Sequence, residues 1–155
     1  MNLETHITFD DVLLVPQYSN IKSRSEVSLN SEISEGTSLR VPIISAPMDT
    51  VCETFMASTL ADFGALGIIH RYNTIEDQAA LVSKASKSGS KTIGAAIGIT
   101  GDYIERASAL VEAGANVLCL DVAHGDHVLM HVGAHNIVDR FGDIAHIMAG
   151  NVATY

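Results

Sequence analysis

The sequence is poor in positive charge. Lys and Arg together number nine against eighteen Asp and Glu, which gives a formal net charge of −9 at pH 7. The nine are scattered along the chain and form no basic stripe, and this argues against a nucleic-acid surface. A ligand that carries phosphate stays compatible with this composition, because backbone amides and helix N-termini bind anions without net positive charge.

Long apolar runs are also missing, although the hydrophobic fraction of 47% predicts a real core. No window reaches the roughly 18 apolar residues that a membrane span needs, and residues 1–11 lack the apolar stretch of a signal peptide. The only two cysteines, Cys52 and Cys119, form no CxxC pair. We therefore expect a reduced, cytoplasmic protein, without membrane partners, in which each thiol is either a small buried hydrophobe or a reactive group.

What the sequence does contain is a series of short apolar runs, each followed by a helical pattern. Their starts are about 25 residues apart, the size of one βα unit with short connections. Continuous apolar strands that alternate with helices indicate a parallel sheet covered by helices, and the regular repeat favours a (β/α)8 TIM barrel over an open sheet. The predicted strands are residues 43–46, 66–69, 93–96, 117–120 and 144–149.

Five strands are fewer than the eight that close a barrel. We therefore predict an α/β fold in which residues 41–155 form the first five strands of an incomplete TIM barrel. Such a sheet has two unpaired edges. Three interpretations stay open: a fragment, a subunit completed by another chain, or a domain that dimerises through its open edges.

Residues 1–40 do not follow the repeat, and we interpret them as an N-terminal arm with short strands. One such strand is predicted at residues 25–29, where polar and apolar residues alternate.

Three helix ends also carry signals. Asn73 with Glu76 three residues later resembles a capping box and predicts a helix that runs through Ser86. Gly64 and Gly114 follow two helical runs, at positions where a left-handed residue is favoured.

Polar residues follow four of the five strands, where ligands bind in α/β architectures. The segments are Ser45-Ala-Pro-Met-Asp-Thr50, His70-Arg71, Asp121-Val-Ala-His-Gly125 and Ala149-Gly-Asn-Val-Ala-Thr154. Each segment has a structural alternative. Asp49 would cap a helix, His70 and Arg71 would be a solvated strand end, Asp121 would accept backbone N–H groups, and Asn151 would be a turn residue. The functional interpretation depends on all four converging on one rim.

Three histidines recur every four residues, at His127, His131 and His135, and are predicted to share one helix face. Two histidines at this spacing can bind zinc, but the glutamate of an H-E-x-x-H motif is absent. We therefore favour a solvated or subunit-facing stripe and predict no metal site.

Taken in order, several motifs resemble the IMP dehydrogenase and GMP reductase family over nearly the whole chain. They are Thr8-Phe-Asp-Asp-Val-Leu-Leu-Val-Pro16, Lys22-Ser-Arg-Ser-Glu-Val27, SAPMDTV, GIIHR, Gly94-Ala-Ala-Ile-Gly98, LDVAHG and Ile147-Met-Ala-Gly-Asn-Val-Ala-Thr154. The resemblance implies a (β/α)8 barrel, usually tetrameric. Its dehydrogenases oxidise IMP to XMP with NAD through a covalent cysteine adduct, and its reductases deaminate GMP to IMP with NADPH.

The resemblance also implies residue roles. A purine nucleotide monophosphate would contact Ser45, Met48 and Asn151, and the dinucleotide NAD, or NADP in a reductase, would contact Asp121, Ala123, His124 and His70. Asp121 would hydrogen-bond the nicotinamide ribose hydroxyls. The role of Arg71 is less defined, because reductases prefer lysine there.

Two departures from the family pattern matter. Where most dehydrogenases insert a CBS pair, this chain has only residues 87–91, which is typical of reductases and of a minority of dehydrogenases. The residue forms at 9–14 and 45–49 favour a dehydrogenase, and those at 119–121 and 147–151 a reductase. We interpret the chain as a dehydrogenase, with the reductase as the alternative.

The second departure concerns the nucleophile. In the family it lies on a Gly-rich loop after the sixth strand, together with a monovalent cation site, and neither Cys52 nor Cys119 occupies the matching position. We therefore expect no catalytic residue in this chain and no activity from it alone. The expected partner is a complementing C-terminal half or further copies of the chain. The alternative is a non-catalytic homologue that docks on a full-length subunit.

Overall fold

The computed structural model describes residues 5–87 and 92–153. The predictions for residues 88–91 and for Thr154 therefore lie outside the described residues. Two short 3-10 helices, Phe9–Asp11 and Arg24–Glu26, precede the regular elements. Those elements are β1 (Ser31–Ser34), β2 (Thr37–Leu39), α1 (Thr54–Asp62), β3 (Gly67–Ile69), α2 (Ile75–Lys87), β4 (Ile93–Ile97), α3 (Tyr103–Glu112), β5 (Val117–Asp121), α4 (Val128–Phe141) and β6 (His146–Gly150).

The strands form two sheets. β1 and β2 make an antiparallel hairpin, and β3, β4, β5 and β6 make a parallel sheet in chain order. This confirms the predicted mixed α/β class with a parallel sheet. The first predicted strand, residues 43–46, is reduced to one parallel bridge between Ile44 and Leu66. Pro42 and Pro47 bound this segment and offer no backbone N–H, which limits longer pairing.

The predicted strand at residues 25–29 is wrong. Its beginning belongs to the 3-10 helix Arg24–Glu26, which Ser23 caps by accepting a hydrogen bond from the Ser25 backbone N–H. The hydroxyls of Ser23 and Ser25 also hydrogen-bond each other at 2.8 Å. Local bonds of this kind compete with strand pairing, and the strands of the arm lie later, in β1 and β2.

Helix ends follow the predicted chemistry, with one shift. α2 begins at Ile75, and its cap is Thr74, whose Oγ1 accepts from the Asp77 backbone N–H at 3.1 Å. The predicted cap at Asn73 is thus one residue too early. Gly64 and Gly114 adopt φ values of 76° and 108° directly after α1 and α3, as predicted.

Both faces of the parallel sheet are covered. Alternate strand residues, among them Ile69, Ala95, Ile97, Leu118 and Leu120, pack towards the helices. The opposite face holds Ile68, Ala96, Val117 and Cys119, against Leu39 and Ile33 of the hairpin.

The hairpin lies at the N-terminal ends of the parallel strands. The Ser34 hydroxyl is 2.9 Å from Nδ1 of His146, the first residue of β6. The C-terminal strand ends are therefore left to the connecting loops. Within the described ranges, no helix is both long and apolar enough to cross a bilayer.

A buried glutamine braces the sheet below its C-terminal edge. The Gln78 side chain, which is inaccessible to solvent, donates from Nε2 to the carbonyls of Ala96 at 2.8 Å and Ile69 at 3.4 Å. Its Oε1 accepts from Arg106 Nη1 at 2.8 Å, and Arg106 also donates to the carbonyl of Asn73. The Gln78 amide thus connects β3 and β4 to Arg106 of α3, and Arg106 in turn contacts the loop after β3.

We predict that Gln78→Leu lowers the free energy of unfolding by about 2–4 kcal/mol, because the buried Ala96 carbonyl loses the hydrogen bond from Gln78 and the nearly buried Arg106 guanidinium loses one of its acceptors. Urea denaturation measures the change. Gln17→Leu in the exposed arm is the matched control and should change stability by about 0.5 kcal/mol or less. Equal effects of the two substitutions would contradict this role of Gln78.

Candidate functional site

The C-terminal ends of the parallel strands surround two adjoining cavities. The strand-end cavity, of about 450 Å³, is bordered by Ser45, Asp121 and Asn151 and by the apolar side chains of Ile68 and Met148. The loop cavity, of about 560 Å³, is bordered by Ala123, His124, Asp126 and His131. Asn151 and Val152 border both. Residues predicted from separate strand ends therefore do converge on one edge of the sheet.

Ser45 forms part of the wall of the strand-end cavity and joins its bridge segment to β3. Its backbone N–H donates to the Leu66 carbonyl at 3.0 Å, and its Oγ accepts from the Ile68 backbone N–H at 2.9 Å. This side chain replaces a strand hydrogen bond that the short bridge does not provide. The position of Ser45 is thus fixed by two hydrogen bonds to the backbone, one from its main chain and one to its side chain.

Asp121 is the last residue of β5, and its partner is a guanidinium. Its Oδ2 lies 3.5 Å from Arg71 Nε, and its own carbonyl accepts from Arg71 Nη2 at 3.2 Å. Arg71 follows β3, so its side chain crosses the end of β4 to reach β5. On this path the guanidinium passes Gly98, where a built Cβ would lie in ordinary contact with Arg71 Nη1, at 3.7 Å.

The loops after β5 and β6 are tied to each other. The Asn151 backbone N–H donates to the Val122 carbonyl at 2.7 Å, and the Gly125 N–H donates to the Asn151 carbonyl at the same distance. A Cβ at position 125 would lie only 2.6 Å from that carbonyl oxygen, so the close approach requires glycine. These bonds hold Ala123 and His124 beside Asn151 at the loop cavity.

His70 is buried, with 3% of its surface exposed. Its Nδ1 accepts from the Tyr72 backbone N–H at 3.2 Å, which assigns the proton to Nε2, and Nε2 lies 3.2 Å from Glu53 Oε1. Both ring nitrogens are therefore engaged within the chain. His70 borders neither cavity, and neither does Met48, whose side chain is half exposed.

The three histidines of the predicted stripe, His127, His131 and His135, are all exposed, but only the last two lie within α4. His127 lies before the first turn of α4 and caps it, its Nδ1 accepting from the Leu129 backbone N–H at 3.1 Å. His131 Nε2 contacts Asp126 Oδ1 at 3.0 Å, and this hydrogen bond lowers the pKa of the Asp126 carboxyl. In the part of the chain that is described, no three His, Cys, Asp or Glu side chains are grouped as metal ligands would be.

Both thiols are buried and protonated at neutral pH. Burial raises the pKa of Cys119 to about 11, and the nearby Asp121 carboxylate raises it further in the same direction. Burial also raises the pKa of Cys52, against a smaller lowering by a hydrogen bond from Ser45. Cys119 borders the strand-end cavity, but a protonated thiol is a weak nucleophile.

Sequence reasoning missed Glu53, Gln78, Tyr72 and Asp126. The available signals were weak. Gln78 is a polar residue inside an otherwise apolar helix face, and Asp126 lies next to the predicted rim segment.

Comparison with known proteins gives a consistent result. A sequence model of the IMP dehydrogenase / GMP reductase domain matches residues 6–155. The chain is 48% identical over 93 residues to an inosine-5'-monophosphate dehydrogenase of Nitrosopumilus maritimus, covering 60% of this chain and 20% of the relative. It is 34% identical to that of Cryptosporidium parvum, over 99% of this chain and 48% of the relative. A GMP reductase of Leishmania donovani is 44% identical over 84 residues, covering 54% of this chain and 17% of the relative.

These alignments cover about half or less of the length of the relatives. The alignment with the Cryptosporidium parvum protein extends over 200 positions. It is longer than this chain, because the relative has residues without a counterpart here.

The raised pKa of Cys119 predicts slow and pH-dependent alkylation. In a Cys52→Ala variant, Cys119 is the only thiol, and at pH 8 about one molecule in a thousand would carry its thiolate, against about one in ten for a thiol of ordinary pKa 9.0. The iodoacetamide rate of the folded variant should rise about tenfold per pH unit from 8 to 10. The same variant unfolded in urea is the control, and its rate should level off above pH 9. A folded-state rate that levels off at the same pH would refute the shift.

Proposed function

The chain belongs to the IMP dehydrogenase / GMP reductase family, and we propose that it supplies one half of the purine nucleotide and dinucleotide site of an IMP dehydrogenase. The observation that carries this proposal is the convergence of Ser45, Asp121 and Asn151 on one cavity, adjoining a second cavity beside Ala123 and His124. Each cavity has a volume in the range typical of small-molecule sites.

The residues fit a dinucleotide at one point in particular. The Asp121 carboxylate is partly exposed at the strand-end cavity, and an ionised carboxylate accepts hydrogen bonds from both hydroxyls of a ribose diol. Bound NAD would supply the hydride acceptor. The role of this chain is to bind and orient: Asp121 takes the diol, and Ser45 and Asn151 form the wall against the nucleotide.

Met48 and His70 border neither cavity, and we propose different roles for them. We retain Met48 as a nucleotide contact, because its half-exposed side chain stands free of the core, next to the cavity residue Pro47. For His70 we propose an indirect role, since both of its ring nitrogens already have partners in the chain.

We further propose that residues 41–155 are the first strands of a (β/α)8 barrel and that residues 1–40 are an arm that packs on a partner. The apolar side chains of Leu13 and Leu14 are 94% and 98% exposed, and such a patch usually marks an interface. The outer edge of β6 also has no neighbouring strand among the described residues. A complementing C-terminal half or further copies of the chain would cover these surfaces.

Covalent chemistry would then require a nucleophile from the partner, because both thiols of this chain are held protonated. The chain with a matched C-terminal half should produce NADH from IMP. Consumption of NADPH with GMP would instead indicate a reductase, an alternative that the similarity to a GMP reductase supports. No turnover with either substrate, but a change in the activity of a full-length homologue, would indicate a docking protein.

We predict that Asp121→Asn weakens NAD binding to the chain about 10- to 100-fold, because a neutral amide loses the charge-assisted bonds to the diol. Titration with NAD, followed by NMR, measures the dissociation constant. Asp139→Asn on the exposed surface of α4 is the matched control and should leave it unchanged. An unaltered constant for Asp121→Asn would rule out the diol contact.

A further inference from the structure

Arg71 contacts both the main chain and the side chain of Asp121. Its Nη2 donates to the Asp121 carbonyl at 3.2 Å, and its Nε faces the Asp121 carboxylate at 3.5 Å. The first contact is a hydrogen bond and the second is an ion pair, and together they favour one orientation of the Asp121 side chain, with its carboxylate beside the guanidinium. The carboxylate is thereby held at the border of the strand-end cavity.

The guanidinium also contacts an aromatic ring, and the loop that carries Arg71 is fixed by hydrogen bonds. The central carbon of the guanidinium lies 5.5 Å from the centre of the Tyr72 ring, within the range of a cation–π contact. The loop that carries both residues is fixed by the two hydrogen bonds from Arg106 to the Asn73 carbonyl. The backbone of the loop from which Arg71 extends to Asp121 is therefore held in place.

The contact between Arg71 and Asp121 also changes the local charge at the cavity. The chain carries a net charge of −9, and an uncompensated carboxylate at the cavity would add local repulsion to an anionic dinucleotide. Paired with Arg71, Asp121 keeps its hydrogen-bond acceptors while its charge is balanced. Lysine would balance the charge but could not contact both the carbonyl and the carboxylate in the same planar arrangement.

We propose that Arg71 is a positioning residue for dinucleotide binding: by bridging the end of β4, it orients the Asp121 carboxylate towards the ribose diol and neutralises its charge. This inference rests on the proposed role of Asp121. It assigns to Arg71 no contact with the ligand, so its effect on binding must pass through Asp121.

The contact can be tested without ligand. In an NMR spectrum of the full chain, the Arg71 Nε–H signal should shift in Asp121→Asn, because its anionic neighbour is lost. The exposed Arg140 on α4 provides the control within the same spectrum, and its signal should not move. An Arg71 signal that is indifferent to Asp121→Asn would overturn the inference.

The effect on binding is tested by NAD titration of the full chain. Arg71→Gln should weaken binding about five- to tenfold, since the ion pair is partly exposed to solvent, and Arg71→Lys should have an intermediate effect. In the Asp121→Asn background, Arg71→Gln should change the dissociation constant less than about twofold, because the group through which it acts is gone. Arg140→Gln is the matched control and should have no effect.

The outcomes separate the two hypotheses. Independent effects of Arg71→Gln and Asp121→Asn, which multiply in the double variant, would overturn the positioning role and leave the proposed function intact. Wild-type chain that shows no NAD shifts at millimolar concentration would contradict the proposed function, and with it any role of Arg71 in binding, even where the ligand-free signal shows that the contact exists.

Discussion

Parallel pairing from β3 to β6 determines where the functional groups of this protein lie. In a parallel sheet every strand ends at the same edge, so residues far apart in sequence are brought together without long-range contacts of their own. Asp121 pairs in register with Gly150, and the bridge at Ile44 brings Ser45 to the same edge. The cavities follow from this arrangement, because the loops that leave the strands all begin at the same edge of the sheet and lie next to one another there.

The contacts that stabilise the sheet and the candidate site lie at different positions along its strands. At the N-terminal ends, the hairpin covers the sheet face that holds Ile68, Val117 and Cys119, and Ser34 contacts His146. At the C-terminal ends, the buried side chain of Gln78 fixes two carbonyls just below the rim and leaves the rim itself open. A division of this kind is general in α/β barrels, where the C-terminal face can change without loss of the core.

The elements that the sequence predicted well are those with a repeated physical cause. Continuous apolar runs predicted β3 to β6, and the need for positive φ identified Gly64 and Gly114. The convergence of the residues that follow these strands on one edge of the sheet was also predictable, since it follows from parallel pairing alone. The sequence did not predict that the first strand would be reduced to a bridge at Ile44, where flanking prolines limit pairing. It also did not predict the 3-10 helix at Arg24, where serine hydroxyls form local hydrogen bonds.

Individual side chains were harder to predict than the edge they share. His70 ends an apolar strand like the other rim residues, but Glu53 and Tyr72 take both of its nitrogens, and nothing in its spacing indicates either partner. The contact between Arg71 and Asp121 joins residues fifty positions apart, across the end of the intervening strand β4. Such contacts depend on the distance between strands, which hydrophobic periodicity does not encode.

Binding and covalent chemistry are physically separable at this site. A thiol whose pKa is raised to about 11 stays protonated at neutral pH, so Cys119 can border the strand-end cavity without attacking a base that would be bound there. Its pKa is raised by burial and by the proximity of Asp121, the carboxylate proposed to take the ribose. The features that make this cavity suitable for binding therefore also keep its own cysteine inert. A reactive thiolate has to come from an electropositive, more exposed setting, and we propose that such a partner would bind at the outer edge of β6 and at the exposed apolar side chains of Leu13 and Leu14.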